Sequence, residues 1–204
     1  MSKVITPKFR VSFPQLDVPK AFGNGKPKYG ITMLIPKKED ITGLREAIKA
    51  VVLEKWPDAA KRPKNLHNPI KDGDTDLKQD GSLRKDSSPE VAGMWVIRAS
   101  ASEKSQPKCV DTNPKIQIAP EEIYAGSYAR ASINPYAYAP TKLNPEIKAG
   151  VAIGLNNVQR LGDGEPFGRP NKPEDDFTEV EASDFGNDPD VAGAKAAKDD
   201  MFAQ

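Results

Sequence analysis

The sequence predicts a mainly β fold in which about five strands and one helix form a small barrel with long loops. Three observations predict it. Apolar and polar residues alternate in five segments, helical spacing of apolar residues occurs in one segment only, and the composition changes abruptly near residue 170. A parallel α/β sheet would need a helix after nearly every strand, so that class is excluded. The strand count fits an OB-like five-stranded barrel, with a β-sandwich as the alternative.

The first two strands are predicted to form a hairpin. In residues 8–13 the apolar side chains stand at odd positions, from Phe9 to Phe13, and residues 28–35 repeat this alternation. The segment between them reads FGNGKP, whose glycines, asparagine and proline suit a turn. We therefore expect Phe9 and Phe13 to face the core together.

One helix and one long loop are predicted next. Apolar residues such as Leu44 and Ile48 recur at helical spacing over residues 40–56, and Pro57 ends the pattern. Residues 57–92 are polar and contain four prolines and seven basic residues. A connection of that length is usually functional or disordered, and we expect a long loop there.

Strand character returns in the second half of the body. Alternation covers residues 94–101, 128–138 and 150–160, with a shorter piece near Cys109. Within the first of these, Trp95 has the parity of the apolar residues and is predicted to face the core.

Tyrosines and a cation share one face of the strand predicted at residues 128–138. Tyr128, Arg130, Tyr136 and Tyr138 all stand at even positions, while small apolar residues fill the odd ones. Flat rings stack on bases of any sequence and cations contact phosphates, so this pattern favours a platform for single-stranded nucleic acid. The alternative for any one tyrosine is an ordinary, partly buried ring.

The charge distribution points to the same kind of partner. Residues 1–170 hold 27 Lys and Arg against 19 Asp and Glu, a net charge of +8. A basic body favours binding of a polyanion. The candidate DNA-binding residues on polar strand faces and loops are Lys8, Arg10, Lys28, Arg98, Lys104, Lys108, Tyr124, Tyr128, Arg130, Tyr136 and Tyr138. No catalytic residue, metal site or cofactor is predicted.

The C-terminal segment has the opposite charge. Residues 171–204 hold 3 basic against 10 acidic residues, a net charge of −7, and few apolar side chains. Such a segment cannot bury a core, so we predict a disordered acidic tail after a domain that spans residues 1–170.

Single copies of cysteine and histidine exclude several classes of protein. With Cys109 alone the chain has neither an internal disulfide nor a cysteine zinc site, which fits a reducing compartment. With His67 alone a histidine metal centre or a serine-histidine triad is disfavoured. The sequence starts without an apolar signal segment and contains no apolar run of membrane length, so we expect a soluble intracellular protein.

Three aspartates give the strongest competing pattern. Asp72, Asp74 and Asp76 alternate as in a calcium loop, but Leu77 and Leu83 stand where an EF-hand needs glycine and glutamate. A metal-dependent nuclease that uses these carboxylates is the first alternative function. A structural virion or scaffold protein, whose charge only governs solubility, is the second.

Short motifs in a fixed order carry a family resemblance. They are PIKDGD at 69–74, GMW at 93–95 with AS at 99–100, PKCVD at 107–111, YAGSYAR at 124–130, NPYAY at 134–138, GLNNVQ at 154–159 and GDGE at 162–165. Together they resemble the single-stranded DNA-binding proteins of tailed bacteriophages and prophages. The resemblance implies an OB-fold, sequence-independent binding of single-stranded DNA, and a role in phage DNA replication or recombination in the cytoplasm of the infected bacterial host.

The tail also resembles the acidic C-terminal tails of such proteins, which implies that it recruits replication or recombination partners. The residues that would do so are aromatic or acidic: Phe177, Phe185, Asp199, Asp200 and Phe202. The bacterial pattern ends on a phenylalanine, whereas here two further residues follow. Homo-oligomerisation is left open.

Overall fold

The computed structural model describes residues 3–21, 25–78, 80–141 and 145–168. Its strands are β1 (Val4–Ile5), β2 (Phe9–Lys20), β3 (Lys28–Pro36), β4 (Ile70–Asp72), β5 (Met94–Ser102), β6 (Lys108–Val110), β7 (Tyr128–Tyr138) and β8 (Gly150–Gly162). Its α-helices are α1 (Thr42–Lys55) and α2 (Arg84–Ser87), and short 3₁₀ helices cover Ala59–Lys61, Pro89–Val91 and Pro120–Glu122.

The five long strands close into a barrel. β2 pairs with β3, β3 with β5, β5 with β8, β8 with β7, and β7 returns to β2. The β5–β8 pair is parallel and the other four are antiparallel. A closed five-stranded barrel of this kind is the OB-fold architecture, which confirms the predicted fold class and excludes the sandwich. Short strands extend the barrel: β1 on β7, β4 on β5 and β6 on β8.

The core follows the alternation seen in the sequence. Tyr29, Ile31, Met33 and Ile35 of β3 are at most 8% exposed, as the pattern predicts for the inner face of a half-buried strand. The antiparallel β2–β3 pairing confirms the predicted hairpin. Helix α1 packs against β7 and buries Leu44. The hydrophobic face that predicted this helix is therefore the face that covers the barrel.

Phe13 departs from the prediction. It was expected to face the core beside Phe9, but it is 68% exposed whereas Phe9 is 1% exposed. The reason is an irregularity in β2: the register against β3 shifts between Ser12 and Gln15, and Phe13 has a left-handed φ of 45°. Because a bulge changes which face the next side chain occupies, the prediction for Phe13 was wrong.

The segment 57–92 is more ordered than a long loop. Its strand β4 pairs antiparallel with β5, and Lys37 lies 2.6 Å from a carboxylate oxygen of both Asp72 and Asp74. Asp74 also accepts a 2.9 Å hydrogen bond from the backbone N–H of Gly93. These contacts fasten the predicted long loop to the barrel, and the short elements β4 and α2 lie within it.

Trp95 is partly buried and packs against the core. The cationic groups of Lys37 and Arg45 lie 5.3 and 4.8 Å from its ring centroid, within the range of a cation–π contact. Within the described ranges, no helix is long and apolar enough to cross a membrane. The predicted tail, with all its partner-binding residues, lies outside the described residues, and the boundary at residue 170 stays a prediction.

Candidate nucleic-acid interface

A groove of about 710 Å³ runs over the outer face of the barrel. Its floor includes Ser12, Thr32 and Arg98, which stand side by side because Ser12 pairs with Thr32 and Thr32 pairs with Arg98 across three strands. At one side it is bounded by the 57–92 segment, which contributes Lys71 and Arg84. The groove therefore combines the β3–β5 face of the barrel with a wall that carries Lys71 and the ion pair of Arg84 with Asp76.

Phe13 provides an exposed aromatic ring at this groove. A bulky residue with positive φ is a genuine backbone outlier, and such strain persists only where the surroundings enforce it. The bulge turns the ring out of the core and into the groove, where a base could stack on it. Sequence analysis missed this residue. The available signal was Pro14, because a proline inside a strand marks an edge or a bulge.

Tyr136 lies beside the same groove. It pairs across the β7–β8 ladder with Ala152, which lines the groove, and its side chain is 37% exposed. Tyr138 is half-buried, and burial raises the pKa of its hydroxyl above the usual value. Both tyrosines thus lie on the outer face that their parity predicted.

The tyrosine at the other end of β7 has intramolecular partners. The Tyr128 ring has Lys8 Nζ at 5.2 Å and the Arg10 guanidinium at 5.5 Å from its centroid. Arg10 also lies 4.4 Å from the Phe167 ring centroid and donates hydrogen bonds to the carbonyls of Gly126 and Glu165. Arg10 is thus held between two rings.

Tyr124 belongs to the same end of the barrel. Its hydroxyl lies 3.1 Å from Asp163 Oδ1 and donates to the carbonyl of Gly164 at 2.9 Å. The Arg160 guanidinium, 2.6 Å from Asp163, lowers the pKa of that carboxyl. The structure therefore brings Lys8, Arg10, Tyr124 and Tyr128 together, but as a cluster separate from the groove.

The remaining predicted residues divide between two other places. Lys108 and Arg130 line a second cleft, of about 470 Å³, on the outer face of β7 and β8. Lys28 and Lys104 are exposed at the end of the β3–β5 pair, where Lys28 pairs with Ser102. Arg98 alone of the predicted cations lies in the groove itself.

The three aspartates of the nuclease alternative are engaged as ion pairs. Asp72 and Asp74 share Lys37, and Asp76 lies 2.7 Å from the Arg84 guanidinium. Hydrogen bonding to Lys37 lowers the pKa of both Asp72 and Asp74. Among the residues that the structure describes, no group of three His, Cys, Asp or Glu side chains could hold a metal ion. The lysine occupies the position between the carboxylates that a cation would need.

A basic groove on a closed OB barrel, with exposed rings beside it, defines a class of proteins that bind single-stranded nucleic acid. The chain matches the model of the family described as Enterobacter phage Enc34, ssDNA-binding protein, over residues 2–186. It belongs to that family, which confirms the family resemblance read from its motifs.

Solved structures agree with this assignment. The single-stranded DNA-binding protein of bacteriophage Enc34 in complex with ssDNA is 29% identical, with a TM-score of 0.63 and coverage of 81% of this chain and 89% of that chain. Its C-terminal truncation is 27% identical, with a TM-score of 0.61 and coverage of 81% and 88%. The gp2.5 single-stranded DNA-binding protein of bacteriophage T7, 14% identical over 87% and 95% with a TM-score of 0.55, shares the fold. No match is found among the curated proteins.

Proposed function

We propose that the protein coats single-stranded DNA without sequence preference during phage DNA replication or recombination, and that the strand lies in the groove over β3 and β5. The observation that carries this proposal is the exposed Phe13 ring in a groove lined by Lys71 and Arg98. Rings stack on any base and cations neutralise any phosphate, so this arrangement binds without reading sequence. Membership of an ssDNA-binding protein family supports it.

A titration of single-stranded against duplex oligonucleotides at several salt concentrations tests the proposal. If about five phosphates are neutralised, the logarithm of the binding constant should fall against the logarithm of salt concentration with a slope of about −3.5. Single strands should bind more tightly than duplexes, because bases in a duplex cannot stack on protein rings. A slope near zero, or equal affinity for both forms, would contradict a basic stacking groove.

We also infer that the protein acts without catalysis, in the cytoplasm of the host cell. Asp72 and Asp74 both form ion pairs with Lys37, which supports a structural role for them over a nucleolytic one. Labelled single strands incubated with the protein and Mg²⁺ or Mn²⁺ should stay intact. Cleavage that disappears in the Asp74→Asn variant would establish the nuclease alternative instead.

For the acidic segment we propose that residues 171–204 compete with DNA for the basic surface and recruit partner proteins. A tethered polyanion of net charge −7 reaches an effective concentration in roughly the millimolar range near a body of net charge +8. Truncation after Gly168 should therefore raise affinity for single strands at low salt, with a gain that shrinks as salt screens the competition. Equal affinity of both proteins at low ionic strength would disprove the competition.

A further inference from the structure

The second cleft, on the outer face of β7 and β8, is distinguished by the charge of its lining residues. Its lining includes the three basic residues Lys108, Lys115 and Arg130 and contains no acidic residue. All three basic side chains are exposed. The cleft over residues 14–20 and 120–125 differs, because its lining includes two carboxylates and one lysine. Of these two clefts, the β7–β8 cleft is therefore the one whose lining has basic residues without a compensating carboxylate.

Arg130 is positioned within this cleft rather than left to sample many conformations. Its Nε donates a 2.6 Å hydrogen bond to Gln159 Oε1. The amide of Gln159 in turn donates to the carbonyls of Asp111 and Thr112 at 2.9 and 2.7 Å. The backbone thus fixes Gln159, and Gln159 fixes the guanidinium. A guanidinium held in this way loses little rotational freedom when it binds an anion.

The floor of the cleft includes small polar side chains. Ser132 and Asn157 stand side by side across the β7–β8 ladder, and Asn157 pairs with Lys108 of β6. Ile5 of β1, 54% exposed, forms one wall. The polar floor and the basic side chains, beside apolar residues such as Ile5 and Val110, match the phosphates and the apolar base faces of a single nucleic-acid strand better than a folded protein surface.

Strand β8 connects this cleft to the groove. Ala152 lines the groove and Asn157 lines the cleft, so the two sites are separated by five residues, roughly 16 Å of extended chain. Between them lies Gly154, where a Cβ would approach Asn134 Oδ1 to 2.8 Å. Because glycine has no side chain, it leaves the outer surface of β8 unobstructed between the two sites. The paired outward positions along this path, Tyr136 with Ala152 and Asn134 with Gly154, carry no charge.

We propose that the cleft is a second binding segment for the same single strand, which leaves the groove at Ala152, follows β8 over Gly154 and places its phosphates on Lys108, Lys115 and Arg130. This inference rests on the proposed function, because it assigns the continuation of the strand that the groove holds. Its consequence is that an oligonucleotide that fills only the groove does not reach these cations, whereas a longer one does.

The test compares two triple variants with the full-length wild type. One is K108Q/K115Q/R130Q in the cleft. The matched control is K38Q/K49Q/K55Q, which removes the same charge from exposed lysines that line neither the groove nor the cleft. Fluorescence anisotropy measures the affinity of each protein for oligo(dT) of about 6 and about 16 nucleotides, lengths within the usual range of OB-fold site sizes, at several salt concentrations.

We expect the cleft variant to bind the short oligonucleotide within about twofold of the wild type and the long one at least tenfold more weakly. Its salt slope with the long oligonucleotide should be shallower by about 2, from about 0.7 for each lost phosphate contact. The control should keep most of the length-dependent gain. If the wild type binds neither oligonucleotide, the proposed function itself has failed, and the cleft loses its ligand with it.

Other outcomes would overturn the proposal. One is a cleft variant that matches the control at both lengths and all salt concentrations. Another is a cleft variant with increased affinity for the long oligonucleotide, a gain that truncation after Gly168 abolishes, because the cleft would then hold the acidic segment instead of DNA. Circular dichroism checks folding. If the triple variant does not fold, the single loop variant K115E gives the same length comparison on a folded protein.

Discussion

The two ends of strand β7 carry the same residue type on the same face, yet their surroundings differ. At the groove end, Tyr136 lies beside Ala152 and the exposed Phe13 ring is in the same groove. At the other end, Lys8 and Arg10 lie against the Tyr128 ring, and Arg10 also stacks on Phe167. Parity therefore determines which face a ring occupies, whereas neighbours distant in sequence determine whether its surface is free for a ligand.

The largest expected difference is between Tyr136→Ala and Tyr128→Ala. Loss of a stacking ring costs about 1–3 kcal/mol in binding of single-stranded DNA, and we expect that cost for Tyr136. For Tyr128 we expect a smaller loss of affinity and a lower melting temperature, because two cation–π contacts of about 0.5–1 kcal/mol each disappear. Oligonucleotide titration and thermal unfolding of both variants measure the contrast. Equal affinity losses would show that both ends stack on bases.

The substitution Phe13→Gly separates binding from folding at the groove end. Glycine adopts a φ of 45° without strain, so the variant should unfold at the same temperature as the wild type or higher. Its affinity for single strands should fall by about 1–3 kcal/mol, because the stacking ring is gone. Phe13→Leu, which keeps an apolar side chain in the strained backbone, is the control. A marked drop in melting temperature for the glycine variant would mean that the ring packs against the protein.

Arg10→Met tests the Tyr128 end of β7. The variant keeps much of the length of the side chain but loses the charge held between Tyr128 and Phe167 and the hydrogen bond to Gly126. We expect a destabilisation of about 1–2 kcal/mol, measured by urea unfolding. Affinity for a groove-length oligonucleotide should change less than in Tyr136→Ala. If affinity falls more than in Tyr136→Ala, Arg10 contacts phosphate directly.

The smallest expected effect is a pH dependence confined to the end of the barrel that holds Tyr124 and Tyr128. Arg160 lowers the pKa of Asp163 in the folded protein below the reference value of 3.8. The stabilisation is therefore present above pH 3.8 and is lost as the pH falls through the lowered folded value. Amide resonances near Tyr124 and Asp163 should shift in that range more than those near Tyr136, and Asp163→Asn should remove the effect. Uniform shifts over the barrel would instead indicate global acid unfolding.

Much of the fold could be predicted because its signals are local. Alternation placed the inward side chains of β3 correctly, and the 3.6-residue spacing placed α1 within two residues at its start and one at its end. For segment 57–92 the sequence predicted a long loop but not the contacts that order it, because those contacts are long-range. Lys37 ion-pairs with Asp72 and Asp74, which are more than 30 residues away, and Gly73 packs where a Cβ would lie 1.9 Å from the carbonyl oxygen of Val91. No local pattern reports such a pairing.

Periodicity, composition and motif order are properties of the chain alone, and they were enough to predict the fold class, the family, the charge of the body and the outer face of β7. The positions of the basic side chains depend on the tertiary structure, which places Arg98 in the groove, Arg10 between two rings and Arg130 in the second cleft. It also decided that Phe13 points outward. Barrel closure and the bulge in β2 determine which residues distant in the sequence come into contact. Those contacts in turn determine which side chains remain accessible to a ligand.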